Sequence, residues 1–374
     1  MKILYLASID VSKFGAPAVH VQGTCRSFRA LGHKVILLSS KSKLNWLDSD
    51  QEYETKVYWP DMRGGWRIFQ FLAGRRLKKI IVKWNPDLIY LRFSPSKYIA
   101  RILKTSDIPV ALELNGEESI ESRHFHHMLD VANLVLVDDQ HLKTLITEKF
   151  PIQENKVNLH LSPVTDTNFF IPLDNLVCRD YLGLDRDAFV IIHTSSFQIH
   201  HDFNTIEIAF REFVKTNRRK SILVLLGDGP MKSIVMKKME DLISESLVYF
   251  PGMMPIEVLH RYINAADVTI DLLTSKKLNA GRSLTAFKLF EYAACNRPVI
   301  TAVAKDFIIP KWADDSFNII ESENSSALVS ALSDIKSNPA VWHDRAIKGG
   351  DYVRLERSLD AGTKTTISHL EKLF

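Results

Sequence analysis

The sequence predicts an α/β protein built from two doubly wound parallel sheets, and three observations predict it. At 374 residues the chain is longer than the ~250–300 residues at which one hydrophobic core stops growing, so two domains are expected. Short apolar runs alternate from end to end with longer amphipathic segments, the pattern of parallel strands joined by crossover helices. The pattern pauses at Ile171-Pro172-Leu173-Asp174-Asn175, where a proline and an asparagine suit a linker, and then starts again.

Taken in order, the first half carries strand-like runs at residues 2–7, 34–38, 88–92, 109–113, 133–137 and 157–161, enough for one sheet. The second half carries them at 188–194, 221–226, 247–250, 267–272, 298–301 and 317–320, with helical segments such as 205–215 and 255–265 between them. The expected division is a first domain over 1–170, a second over 171–354, and a C-terminal amphipathic helix over 355–374 that returns to the first domain. Two similar sheets imply a cleft between them. Ligands of open α/β sheets bind beyond the carboxyl ends of the strands, so functional residues are sought in the loops that follow each run.

Composition narrows the classes. Apolar and charged fractions of 46% and 25% are those of an ordinary globular protein and exclude a collagen-like or disordered chain. A formal charge of +4 is too small for a general nucleic-acid binder. Cys25, Cys178 and Cys295 are odd in number and widely spaced, which disfavours a disulfide framework or a zinc site and fits a reducing cytoplasm. The N-terminus runs from Met1 to Ala7 as a short apolar stretch and then meets Ser8 and Asp10, which reads as a buried first strand rather than a signal peptide. No run approaches the ~20 apolar residues needed to span a bilayer.

The segment 278–294 is the richest in chemistry. A helix is expected from about Ala286 with Thr285 as its N-cap, and a helix start offers unpaired N–H groups and a positive dipole end to an anion. Arg282 and Lys288 add two cations beside it, a combination that suits a diphosphate leaving group without any metal. Glu291 follows Lys288 by three positions on the same face, where a carboxylate can accept from two ribose hydroxyls; a solvated Lys–Glu pair explains the spacing equally.

Lys288-Leu289-Phe290-Glu291-Tyr292-Ala293-Ala294, followed by Pro298-Val299-Ile300, closely resembles the K-L-F-E-Y-M-A … P-V-I signature of retaining glycosyltransferase family 4. Other parts of that family's pattern follow in order: Gly15-Ala16-Pro17, His20-Val21, Tyr90-Leu91-Arg92, Glu113-Leu114-Asn115-Gly116, Ser195-Ser196-Phe197-Gln198, Gly227-Asp228-Gly229-Pro230 and Ala266-Asp267. The resemblance covers nearly the whole chain. It implies a GT-B fold, two facing Rossmann-like domains, and transfer of a sugar from a nucleotide diphosphate to a hydroxyl acceptor with retention at the anomeric carbon.

By that likeness Glu291 is the ribose-binding second glutamate of the E-x7-E motif, while Ser283 stands where the first glutamate would be. The backbone amides of Leu284 and Thr285 fall where the family holds the diphosphate. Ser196 and His201 replace an arginine and a lysine of the family pattern, and a nearby diphosphate would favour the protonated form of His201; an exposed loop histidine without a role is the alternative. The family closes the Gly15–Ala16 loop over the donor, borders the nucleotide with Gly227 and Asp228, and contacts the base near Met253 through backbone groups. On the acceptor side Arg92, Glu113 and Asn115 sit at strand ends, with a buried structural hydrogen bond as the other reading for Glu113 and Asn115, and His20, just beyond the Gly15–Ala16 loop, either faces the cleft or caps a helix.

From Arg63 to Trp84 basic residues interleave with aromatic and aliphatic ones, and no acidic residue intervenes. Such a segment can rest on anionic headgroups at the inner face of a membrane; a helix packed on its own sheet with a solvated basic edge explains it too. Asp48-Ser49-Asp50 has the form of a D-x-D metal site but lies in a polar loop and reads as surface. The expectation is therefore a cytoplasmic, metal-independent glycosyltransferase with a nucleotide-sugar cosubstrate. Its rivals are a nucleotide-sugar 2-epimerase of the same architecture, an inactive nucleotide-binding homologue, and a two-lobed solute-binding protein, which the lack of an export signal disfavours.

Overall fold

The computed structural model describes residues 1–11, 16–41, 54–58, 64–114, 119–138, 140–160, 165–217, 220–279 and 283–374. They form two compact units: Met1–Val164 with Leu359–Phe374, and Thr165–Ser358.

Unit 1 runs β1 (Lys2–Asp10), α1 (Ala16–Ala30), β2 (Lys34–Lys41), β3 (Glu54–Tyr58), α2 (Gly65–Trp84), β4 (Leu88–Arg92), α3 (Lys97–Lys104), β5 (Val110–Leu114), α4 (Phe125–Val131), β6 (Leu134–Val137), α5 (Gln140–Lys149) and β7 (Val157–Leu159). The strands make one parallel sheet in the order β3-β2-β1-β4-β5-β6-β7. Strands such as β4, β5 and β6 are almost wholly buried, as expected where helices cover both faces and the sequence reads as unbroken apolar runs.

Six strands were expected here, and the described residues form seven. The additional one, β3, pairs only with β2 at the sheet's edge. Its sequence, Glu-Thr-Lys-Val-Tyr, gives the core only Val57 among its described side chains, too little for an apolar run to reveal.

Unit 2 runs α6 (Asn175–Leu182), β8 (Phe189–Ser195), α7 (Phe203–Thr216), β9 (Ser221–Gly227), α8 (Lys232–Lys238), α9 (Glu240–Ser244), β10 (Val248–Gly252), α10 (Ile256–Ala265), β11 (Val268–Asp271), α11 (Ser275–Lys277), α12 (Phe287–Ala294), β12 (Val299–Val303), α13 (Lys311–Ser316), β13 (Asn318–Glu321), α14 (Ser325–Ser337) and α15 (Pro339–Tyr352). Its six parallel strands take the order β10-β9-β8-β11-β12-β13.

A π-helical turn over Val353–Arg357 follows α15, and Ser358 bridges Thr165. The final helix α16 (Leu359–Leu370) belongs to unit 1 and packs on α1, where Gly23 admits the Leu359 side chain: a Cβ there would lie 2.9 Å from Leu359 Cδ2. The terminal helix thus begins at Leu359, later than the expected 355, because the chain first unwinds through the π turn.

Each sheet reverses its strand order once, at β1/β4 in unit 1 and at β8/β11 in unit 2. The carboxyl ends of the strands beside a reversal flank a crevice, because the connecting loops there leave in opposite directions.

Candidate active site

At the reversal in unit 2, Thr194 stands near the end of β8 and Asp271 closes β11. Helix α12 carries Lys288 and Tyr292 one turn apart on one face, and both reach this point. The Tyr292 hydroxyl lies 2.9 Å from Thr194 N and 2.8 Å from Thr194 Oγ1. Lys288 Nζ donates to Thr194 O at 2.9 Å and pairs with Asp271 Oδ1 at 2.7 Å. The ammonium is therefore fixed by a backbone carbonyl from one strand and a buried carboxylate from the next. It has three N–H groups, and these two contacts leave one for a ligand among the described residues.

Glu291 is half-buried on the same helix. Burial pushes its carboxyl up to about 7, and Lys288 opposes that rise. Lys288 pairs with Asp271, not with Glu291, so the solvated Lys–Glu pair is not what the helix presents. The helix begins at Phe287 with Ala286 at the N-cap position, one residue later than expected, and no side chain caps it; Thr285 precedes the cap. Leu284, before it, is held in the left-handed region at φ 57°, an uncommon conformation for a branched side chain.

Ser283 is buried at 4% exposure. Its Oγ accepts from Ala304 N at 2.9 Å and ties the loop to the end of β12. Arg282 lies outside the described residues.

His201 corrects an expectation. Neither exposed nor poised for protonation, it is buried at 8% exposure, and burial, Lys288 and His200 pull its imidazole down to about 3. It is neutral at physiological pH. His193 lies beside it with ring centroids 5.9 Å apart, its Nδ1 2.8 Å from Ile270 O. Burial, then Lys288 and His201, hold it well below the ordinary histidine range. Two neutral imidazoles beside one cation give that cation no competing positive charge.

The loops after β8 and β9 press together. Gly227 (φ 116°) and Gly229 (φ 156°) run so close to the Ser195 and Ser196 carbonyl oxygens that neither position has room for a Cβ. Ser196 is exposed. The exposed Asp228 carboxylate accepts from Gly229 N at 2.8 Å. Met253, after β10, is 63% exposed, contrary to the usual burial of methionine. Asp267, part of the family-like pattern, ties its own unit together, accepting from Arg179 Nη2 and from Val190 N, each at 2.7 Å.

In unit 1, His20 of α1 and Glu113 of β5 meet in the interior, Nε2 to Oε1 2.6 Å, both side chains with no exposure. Tyr5 donates to Glu113 Oε2 at 3.4 Å, and the Tyr5 and Tyr90 rings meet edge to face at 5.0 Å. Burial alone would raise the Glu113 carboxyl; His20, by charge and hydrogen bond, with Arg92 and His160, outweighs that and holds it well below the usual carboxylate range. His20 and Glu113 therefore hold each other in the interior of unit 1. Arg92 is half-buried at the end of β4 and donates to Pro17 O at 3.4 Å. Ala16 begins α1. Gly15, Asn115 and the 48–50 segment lie outside the described residues.

Sequence reasoning missed Asp271, Thr194, His193, Tyr5 and His160. The one available signal was a polar residue closing an apolar strand, as Thr194 and Asp271 do. Among the described residues no group of three His, Cys, Asp or Glu side chains is placed to hold a metal ion.

No protein-family model matches this sequence, and no curated protein matches it significantly. Solved structures do. Sucrose-phosphate synthase from Thermosynechococcus elongatus is 16% identical with a TM-score of 0.75, covering 100% of this chain and 99% of that one. Anabaena HepE in complex with UDP is 15% identical with a TM-score of 0.73, covering 100% of both chains. A glycosyltransferase from Rickettsia africae is 14% identical with a TM-score of 0.73, covering 99% of this chain and 98% of that one. At these identities the likeness is one of fold, and over its full length the chain has the GT-B fold of Rossmann-like parallel sheets.

Proposed function

We propose that this protein is a glycosyltransferase that takes a sugar from a nucleotide diphosphate donor bound at the β8/β11 end of unit 2. One observation carries the reading: the Lys288 ammonium is fixed at the strand-order reversal with an N–H to spare, beside the uncapped start of α12 and three positions before Glu291. The full-length likeness to structures that include HepE complexes with UDP and with UDP-glucose supports it.

In this reading Lys288, helped by Arg282 and the Leu284 and Thr285 amides, meets the charge that grows on the diphosphate as the glycosidic bond breaks. The positive end of the α12 dipole adds partial positive charge at the same place. Glu291 accepts from the ribose hydroxyls. His201 supplies a neutral wall, and Gly227 and Asp228 border the nucleotide. The mechanism needs no metal and proceeds with retention, the donor phosphate helping to take the acceptor proton.

The test is a thermal-shift screen against UDP, GDP, ADP and TDP sugars, followed by product analysis. A bound donor at about 100 times its Kd stabilises by ~2.7 kcal/mol, so selective stabilisation by one base is expected, with release of the nucleoside diphosphate when an acceptor is supplied. No stabilisation by any of the four would overturn the proposal; an isomerised nucleotide sugar formed without acceptor would replace transfer by epimerisation.

A further inference from the structure

Helices α2 and α3 of unit 1 share a surface that the proposed reaction does not use. Helix α2 has 20 residues and so extends about 30 Å. Its inner side, with Phe69, Ala73 and Leu77, is buried in the core. Gly74 lets α3 approach, since a Cβ there would collide with the Tyr98 ring and Ile102. The outward side is unusual. At about 100° per residue, Phe71, Val82 and Ile68 fall within a band about 60° wide, and they are 53%, 82% and 42% exposed.

Cations border that band on both sides, Arg67 and Lys78 along one edge and Lys79 and Lys83 along the other, with Arg75 inside it, all exposed. The Arg75 guanidinium lies 5.9 Å from the Phe71 ring centre, and Tyr98 of α3 stacks on the same ring at 6.4 Å. Helix α3 continues the surface with Lys97, Arg101 and Lys104, one stripe at i, i+4 and i+7, again exposed. Neither helix contains an Asp or a Glu. A chain with a formal net charge of only +4 thus gathers eight exposed cations on two adjacent helices.

We propose that this face docks on an anionic lipid bilayer, with Phe71, Val82 and Ile68 entering the headgroup layer and the surrounding Lys and Arg stems reaching out to lipid phosphates. Charge complementarity names the partner's sign, and the apolar band names its class. A polyanion such as nucleic acid offers nothing to a valine standing 82% exposed among lysines, whereas the headgroup boundary removes that surface from water. Three apolar side chains hold weakly by themselves, so the attachment is reversible and depends on salt. No described helix is long and apolar enough to cross a membrane, and the docking asks for none. The inference is independent of the donor site.

The test is co-sedimentation of the full chain with vesicles of phosphatidylglycerol mixed with phosphatidylcholine, against vesicles of phosphatidylcholine alone. Binding to the mixed vesicles at low salt is expected, with at least a tenfold loss at about 1 M salt, where the Debye length is about 3 Å. Arg75→Glu with Lys79→Glu, and separately Phe71→Ser with Val82→Ser, should each weaken binding at least tenfold while leaving any donor-induced thermal shift unchanged, since all four side chains are exposed and belong to unit 1. Absence of binding to the mixed vesicles, or equal binding to phosphatidylcholine alone, overturns the proposal. So does retention of vesicle binding by the Phe71→Ser/Val82→Ser variant together with equal affinity for a DNA oligonucleotide, which would make the face a general polyanion surface.

Discussion

Lys288 Nζ lies 2.7 Å from Asp271 Oδ1, so the cation that α12 delivers to the end of the sheet already has a buried counter-ion. The pair serves both stability and position, and substitutions separate the two. Lys288→Ala should slow sugar transfer at least about a hundredfold by removing a fixed positive group from the leaving diphosphate. It should also destabilise the fold by about 3–5 kcal/mol, because Asp271 is left charged and unpaired at 2% side-chain exposure. Adding Asp271→Asn should recover much of the stability in urea unfolding and none of the rate. Near-normal turnover of the single variant would remove Lys288 from the chemistry.

Glu291 makes donor binding depend on pH. With its carboxyl raised to about 7 from an ordinary 4.5, the folded state keeps a proton that the unfolded chain has released, so folding stability falls as pH rises from about 4.5 to 7. The slope is bounded by about 1.4 kcal/mol per pH unit and is reduced by solvent screening at this half-buried site. Ribose hydroxyls donate to the ionised carboxylate, so donor affinity should increase as pH rises through about 7. Calorimetric titration of the donor at several pH values should show that increase in the natural protein and a flatter profile in Glu291→Gln.

The buried His20–Glu113 pair predicts the opposite trend. Because the Glu113 carboxyl is held below its ordinary range, its contribution is present above that ordinary range and disappears as pH falls through it toward the folded-state value. His20→Ala should cost about 3–5 kcal/mol near neutral pH by leaving a buried carboxylate unpaired. The cost should shrink on acidification, as Glu113 takes up a proton. Chemical unfolding across pH checks this, and a cost that stayed constant with pH would assign the loss to packing instead.

Gly227 and Gly229 should tolerate no side chain. Each combines a positive φ with a carbonyl oxygen where a Cβ would stand, so Gly227→Ala and Gly229→Ala should each cost more than about 1 kcal/mol. Gly183, at φ 67° with no atom within 4 Å of a Cβ position, carries the backbone strain without the collision and should lose less. Urea midpoints of the three variants rank them; an equal loss at all three would mean that the close approach of the β8 and β9 loops contributes nothing.

What the sequence by itself determined is the local pattern. Apart from the edge strand β3, both sets of parallel strands were legible because strands covered on two faces must be apolar throughout, as β9, reading Ser-Ile-Leu-Val-Leu-Leu-Gly, is. Helix α12 was legible in position to within about one residue, and so was its pair of Lys288 and Glu291, since three positions on a helix share a face whatever surrounds them. The tertiary structure alone decided whom these side chains meet. Lys288 and Thr194 are 94 residues apart, and only the strand order β8-β11 places Thr194 and Asp271 side by side under the helix. The same holds for His201, whose neutrality comes from burial beside Lys288, and for Glu113, whose partner arrives from a helix 93 residues earlier in the chain. Periodicity reports the free energy of hiding a face from water, which is a property of a segment. Charge state and hydrogen-bond partner depend on the distance to another segment, and that distance exists only once the sheets have formed.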